Sequence, residues 1–426
     1  MPISESSRLV RLHLGSRGRS LVGWEAALVG VRDATTPALF AAALAAHQET
    51  FVRSVCGGRY RPAPQRGMLR CPRCDARAGF RRRGQRRCHL FTRVGRIELQ
   101  LAVLGCPCGH RFTPFLALLG VVRARRCAPG FERRGLELCT ELPYRRAAAA
   151  LRRESGAAPS ERTLRRLVRA AAAGCDLRCP RGDLGTLEAV LVDGTRVRAG
   201  AKKRARDDRG LELDIALALG GRDRTGRAQL ELLGAALDRG WPSLIRPLRA
   251  AHMARIAVHD GDTGIAHILE RALPGVPQQI CTFHVRDSFD HRLWQDGLAF
   301  GARRALARAW GNALEYARDS ATAREALAAM QTMAERNRWR RTAIHLHGIS
   351  AHATTWLELG TATHTTSLLE RVMREVNRRV DPVGVRWSRA GATAIIELLL
   401  ARRFRHPDWR RLCEDAGSVQ AWAELQ

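Results

Sequence analysis

The stretch Leu187–Thr195, LEAVLVDGT, decides how the rest of the chain is read. It is an apolar run of strand length that stops on one carboxylate, Asp193, followed at once by Gly194 and Thr195. A short apolar run rich in branched residues and closed by glycine predicts a buried strand. An acid at the end of such a strand is held on rigid backbone, which suits a metal ligand. Arg255–Gly264, RIAVHDGDTG, repeats the pattern with Asp260 at the end of its apolar run. A third acid, Glu370, lies in a segment of helical periodicity near the C-terminus.

Working outward, Leu187–Val192, Leu211–Leu219, Ala228–Leu233, Arg255–His259 and Gln278–Thr282 read as strands. Asp238–Ala251 and Thr263–Leu273 read as helices between them. This order predicts an α/β layout with a mixed sheet: an antiparallel meander of the first three strands, then two strands parallel to the first. Asp193 and Asp260 then fall on neighbouring strands. Two carboxylates side by side repel unless a cation lies between them. Mg²⁺ or Mn²⁺ takes hard oxygen ligands, often only one or two carboxylates, and a pair of such ions drives in-line displacement at phosphorus. Asp262 competes with Asp260, and Glu375 competes with Glu370. Asp214, in the second strand, can point to either face.

The bulk composition bears on the partner. The chain has 426 residues, enough for several domains with cores, and a formal net charge of +31. All but Lys202 and Lys203 of its 72 basic residues are arginine. A surplus of this size favours a polyanion through counterion release, although a GC-rich coding bias also inflates arginine. No apolar run reaches membrane-spanning length, and the first 30 residues lack the pattern of a secretion signal. No membrane partner and a cytoplasmic location are expected. In such a compartment the 12 cysteines read as metal ligands or buried thiols rather than disulfides.

Four of the cysteines are grouped. Cys71-Pro-Arg-Cys74 and Cys106-Pro-Cys108-Gly-His110 flank a very basic loop and an alternating strand, Thr92–Leu104. Two cysteine turns separated by a hairpin predict a zinc ribbon held by Cys71, Cys74, Cys106 and Cys108, with His110 as a substitute for Cys108. Residues 51–98 hold 14 arginines against only Asp75 and Glu98, which suits a DNA contact surface. Ahead of the ribbon, Thr36–Val55 reads as a helix with Pro37 in its first turn. Behind it, Tyr144–Arg153, a Gly156 turn and a Ser160-capped helix, Glu161–Ala173, form a helix-turn-helix pattern. Its Arg162, Arg165, Arg166 and Arg169 are candidate DNA contacts. Arg371, Arg374, Arg378 and Arg379 follow Glu370 at helical spacing and form a second basic stripe.

The chain resembles bacterial insertion-sequence transposases of the DDE type, in the Mutator-like group. The elements that carry the resemblance are VLVDGT at 190–195, AVHDGDTGI at 257–265, QQICTFHV at 278–285 and TTSLLERVMREVNRR at 365–379. The third contains the C-x2-H signature, here Cys281 and His284, expected to have a structural role. The fourth resembles the glutamate helix of that group and points to Glu370. The resemblance implies a ribonuclease-H-like core with an all-helical insertion, preceded by a zinc ribbon and a helix-turn-helix. The corresponding boundaries are an N-terminal helical segment at 1–66, the ribbon at 67–115, the helix-turn-helix at 130–175, the core at 186–285 and 361–405, and the insertion at 286–360. Trp294 is expected to be buried in that insertion.

The implied activity is metal-dependent cleavage and strand transfer of double-stranded DNA at the element's own ends. Asp193, Asp260 and Glu370 would hold two Mg²⁺ or Mn²⁺ ions, with Zn²⁺ as a structural ion. The partners would be terminal-repeat and target DNA, on a homodimer or larger assembly, in a bacterial, nucleoid-associated setting. Two alternatives are a DNA-binding regulator, such as an inactive transposase remnant, and a nuclease of the same fold.

Overall fold

A computed structural model describes residues 21–56, 69–121, 126–178, 184–197, 210–381 and 387–414. The glycine- and proline-rich stretch Gly57–Gly67, which reads as a linker by sequence, lies outside the described residues. The chain divides into two compact units, residues 1–171 with 410–426, and residues 172–409.

The first unit begins with helix α1 (Leu21–Val55), which starts upstream of Thr36 and carries Pro37 in its interior. Proline removes one intrahelical donor, but the alanine- and leucine-rich sequence on both sides sustains the helix. Strands β1 (Arg81–Thr92), β2 (Gly95–Gly105) and β3 (Arg111–Phe112) form an antiparallel sheet in that order. The very basic segment expected as a loop is therefore strand β1. Its first seven residues, RRRGQRR, are all exposed, so no apolar alternation marks them as a strand; pairing with β2 supplies the order.

Strand β2 alternates inward and outward, and Ile97, Leu99 and Leu101 pack with Phe51, Val52 and Val55 of α1. The buried Gln48 amide fixes this contact. It donates to the Gln100 carbonyl (2.8 Å) and accepts from the Ala102 N–H (2.9 Å), satisfying backbone groups on the unpaired flank of β2. Three helices follow: α2 (Pro129–Glu141), α3 (Tyr144–Ser155) and α4 (Glu161–Ala172). Gly156 ends α3 in the left-handed region at φ 69°. Ser160 Oγ accepts from the Thr163 N–H at 3.3 Å, the cap read from the sequence.

The second unit is built on a five-stranded mixed sheet of order β6-β5-β4-β7-β8. Its strands are β4 (Ala189–Val197), β5 (Leu211–Arg222), β6 (Ala228–Leu237), β7 (Ala257–His259) and β8 (Gln278–Ile280). The first three are antiparallel; β7 runs parallel to β4, and β8 parallel to β7. Strand β4 does not end at Asp193 but continues to Val197, because β5 goes on pairing with it. The helix expected over Asp238–Ala251 is broken into a 3-10 turn, one α turn and a second 3-10 turn. Pro242 and Pro247 remove the donors a continuous helix would need.

Helix α5 (Thr263–Ala272) covers one face of the sheet. Its Ile265, Ile268 and Leu269 pack with Val190, Val192, Ala216 and Ala218. The excursion after β8 is entirely helical: α6 (Thr282–Gln295), α7 (Phe300–Glu315), α8 (Ser320–Arg336) and α9 (Arg340–Ile349). These helices bury Phe289, Leu293, Trp310, Leu327, Met330 and Leu346 in a core of their own. Trp294 is not part of it and is 56% exposed, because it sits in the last turn of α6 beside the exposed Gln295 side. The chain returns as α10 (Ser367–Val380), which packs on β4, then α11 (Arg389–Arg403), which packs on β6, and α12 (Pro407–Glu414). Among the described residues, no helix is long and apolar enough to cross a membrane.

Candidate metal centre and basic surfaces

Asp193 sits on the central strand. Ile215 of β5 is its partner on one side. On the other, the parallel pairs Val190–Ala257 and Leu191–Val258 bring Asp193 level with Asp260 two positions on. Asp193 is 4% exposed. Burial pushes its carboxyl up to about 6; His284 opposes this, while Asp260 and Glu370 push in the same direction as burial. Asp260 follows β7 directly and is partly buried. Burial raises its carboxyl too, against the Asp262 N–H, which donates to Asp260 Oδ1 at 2.8 Å, and against His284.

The competing acids have other work. Asp262 is the exposed N-cap of α5 and accepts from the N–H groups of Gly264 (2.7 Å) and Ile265 (3.3 Å). Glu375 is ion-paired to Arg403. Glu370 lies in the first turn of α10, and its Oε1 is buried with no hydrogen-bond partner. The parallel register sets Asp193 beside Asp260, the helix that carries Glu370 packs on β4, and the charges of both acids act on Asp193. Among the described residues, the close spacing of ligand atoms that one shared ion needs is met by four cysteines of the first unit and not by these three acids.

Cys281 and His284 stand beside these acids. Strand β8 stops at Ile280, so His284 is on the first turn of α6 rather than near a strand end. Its imidazole is pushed up to about 9, chiefly by Cys281 against the cost of burial, with Asp193 and Asp260 adding to it. The Cys281 thiol is fully buried. Burial alone would raise it, but His284 and Thr366 hold it below the ordinary thiol value.

Two buried titratable groups carry no sequence signal. Asp214 is 1% exposed, and neither of its oxygens has a partner. Burial, then Glu212, Asp238 and Asp262, push it up to about 7. It pairs with Gly194, one position from Asp193, and therefore lies on the opposite face of the sheet. His259, 1% exposed, is pushed down to about 4 by burial. Both faces of this sheet are covered, so the alternation that would have assigned Asp214 to one of them is missing.

In the first unit, the sulfurs of Cys71, Cys74, Cys106 and Cys108 all lie within 4.8 Å of one another. Cys74 and Cys106 are 3.5 Å apart, and Cys71 and Cys108 are 3.9 Å apart. Each pair is presented by a tight turn: the Asp75 N–H donates to the Cys71 carbonyl, and the Gly109 N–H donates to the Cys106 carbonyl. His110 does not join the cluster; its ring stacks on Phe112 at 5.8 Å. Four thiols at this spacing match the demand of one tetrahedral ion.

Arg162, Arg165, Arg166 and Arg169 are exposed on α4, and Arg165 lies over the Tyr144 ring. Arg371, Arg374 and Arg378 are exposed on α10. Arg379 leaves that stripe: it is buried, with its guanidinium 5.0 Å from the Trp387 ring centre. A comparison with models of known protein families found no match, and a comparison with curated proteins found none.

Proposed function

We propose that this chain is a DNA transposase of the DDE type, with a ribonuclease-H-like core and a zinc ribbon ahead of it. The observation that carries the reading is geometric: the parallel register of β4 and β7 sets Asp193 beside Asp260, and the helix packed on β4 carries Glu370 with a buried, unpartnered Oε1. The strand order β6-β5-β4-β7-β8, with a helical excursion between β8 and the glutamate helix, supports the choice of core.

Asp193, Asp260 and Glu370 would hold two Mg²⁺ or Mn²⁺ ions. When bound, such ions acidify an attacking water and stabilise the leaving oxygen of an in-line displacement. The chain's own residues do the rest. Strand β4 keeps Asp193 rigid, while Arg371, Arg374 and Arg378 offer positive charge to phosphates beside these acids. The products are those of hydrolysis followed by transesterification: water opens a phosphodiester at the element end, and the freed 3′-hydroxyl then displaces another in target DNA. Cys71, Cys74, Cys106 and Cys108 would hold Zn²⁺, and the arginines of β1 and α4 would bind the terminal repeats. Joining two ends calls for a dimer or larger assembly.

The test incubates purified protein with labelled element-end DNA and Mn²⁺. The wild-type chain, Asp262→Ala and Glu375→Ala cleave; Asp193→Ala, Asp260→Ala and Glu370→Ala do not. Equal products from wild type and Asp193→Ala sink the proposal, and binding without cleavage by wild type would assign the chain as a DNA-binding regulator.

A further inference from the structure

The glutamate helix returns to the sheet after a long helical excursion, so something at the sheet must set where it docks. The segment that leads into that helix is held by residues 279–282, at the end of β8 and the start of α6. Gln279, fully buried, donates to the Ala353 carbonyl (3.1 Å) and accepts from the Trp356 N–H (3.0 Å). The Ile280 N–H donates to the His352 carbonyl (2.9 Å), and the Thr282 N–H donates to the His364 carbonyl (3.2 Å). Cys281 stands at the centre of this row and is the member that reaches both metal-binding segments.

On one side, the Cys281 N–H donates to the His259 carbonyl at 2.7 Å. His259 immediately precedes Asp260. On the other side, Cys281 Sγ accepts from the Thr366 N–H at 3.3 Å and from Thr366 Oγ1 at 3.4 Å. Thr366 is the N-cap of α10, and its carbonyl accepts from the Glu370 N–H at 3.0 Å. The first amide of a helix has no partner within the helix. Here Sγ supplies it, in a place where both Cys281 and Thr366 are 0% exposed and no solvent can substitute.

We propose that Cys281 is a positioning residue, a clamp that ties the backbone preceding Asp260 to the cap of the helix that carries Glu370. It touches neither ion nor substrate. It sets the distance between two ligands that arrive from segments more than a hundred residues apart, as groups one bond removed from metal ligands do elsewhere. This rests on the metal-centre reading above.

The experiment compares wild type, Cys281→Ala, Cys281→Ser and Thr366→Val as full-length proteins. It measures end-DNA affinity, the single-turnover cleavage rate as a function of Mn²⁺, and hydrogen exchange of the amides at 366–370 without metal or DNA. Cys281→Ala is expected to raise the Mn²⁺ half-saturation and lower the cleavage rate by roughly 10- to 100-fold. End-DNA affinity should stay unchanged, and Cys281→Ser, which keeps an acceptor, should recover most of the loss. Thr366→Val keeps the volume and should behave as a milder Cys281→Ala. Unchanged Mn²⁺ dependence in both Cys281→Ala and Thr366→Val overturns the clamp.

If Asp193→Ala cleaves as well as wild type, it is the metal-centre reading that has failed. The exchange measurement then decides the clamp by itself. Faster exchange at 366–370 in Cys281→Ala supports it, and unchanged exchange overturns it.

Discussion

Gly194 and Asp214 stand opposite one another on β4 and β5, and a Cβ placed on Gly194 would lie 3.2 Å from Asp214 Oδ1 and 3.2 Å from the Trp241 ring. The glycine after Asp193 is therefore not the start of a turn. It is a strand residue kept small because a carboxyl and an indole close over it. Gly194→Ala must push one of them aside, which costs about 1–3 kcal/mol. Urea unfolding should show a lower midpoint with an unchanged slope; an unchanged midpoint would mean that the space can relax freely.

Asp214 itself should make the protein less stable as pH rises. Its folded value of about 7 lies above the ordinary 3.8, so the native state binds the proton more tightly than the unfolded chain. The stability this proton contributes is present below pH 4 and is lost as pH rises through about 7. At about 1.4 kcal/mol per unit, the ceiling on the loss is about 4 kcal/mol. Asp214→Asn removes the titration. It should be more stable than wild type at pH 8 and draw level near pH 4; a parallel pH profile for the two proteins would contradict this.

The three acids predict opposite responses in the absence and presence of metal. Asp193 is buried beside Asp260 and Glu370, so Asp193→Asn relieves repulsion in metal-free protein and should raise its melting temperature. Mn²⁺ should stabilise the wild-type chain by mass action, about 2.7 kcal/mol at 100 times Kd. The variant should gain far less. Calorimetry with and without Mn²⁺ reads both, and equal shifts in the two proteins would argue against Asp193 as a ligand.

For the cysteine cluster, purified protein should carry about one zinc per chain. Cys71→Ser should release it and, because the ion closes the two turns, loosen the β1–β2 hairpin. Metal analysis together with hydrogen exchange over 69–121 tests this. Full protection of the hairpin in zinc-free protein would show that the thiols do not need the ion.

The stripe on α10 should act through phosphate charge alone. Arg374→Ala or Arg378→Ala should weaken DNA binding alike for end and unrelated sequences, and lower the salt slope by about 1 for each lost phosphate contact. Arg379, buried against Trp387, should change stability instead.

The sequence by itself determined the elements with strong local signals. The five strands, their antiparallel-then-parallel order, the helical excursion, the capped helix after Gly156 and the two cysteine turns all follow from apolar periodicity, glycine and cysteine spacing. These signals are local because hydrogen-bond geometry and side-chain period are local. Pairing decided what such signals cannot carry. Strand β1 exists because β2 lies beside RRRGQRR, and β4 runs past Asp193 because β5 continues.

Tertiary structure alone gives the competing acids different surroundings. Asp260 and Asp262 are alike in sequence, but one meets Asp193 while the other caps α5. Glu370 and Glu375 share a helix, but one is left without a partner at Oε1 while the other pairs with Arg403. Which carboxylate is buried, repelled or neutralised depends on groups far away in the chain, and only the fold brings them within a few ångströms. Cys281 shows the same division: its spacing to His284 is written in the chain, while its grip on Thr366 exists only once the excursion has closed.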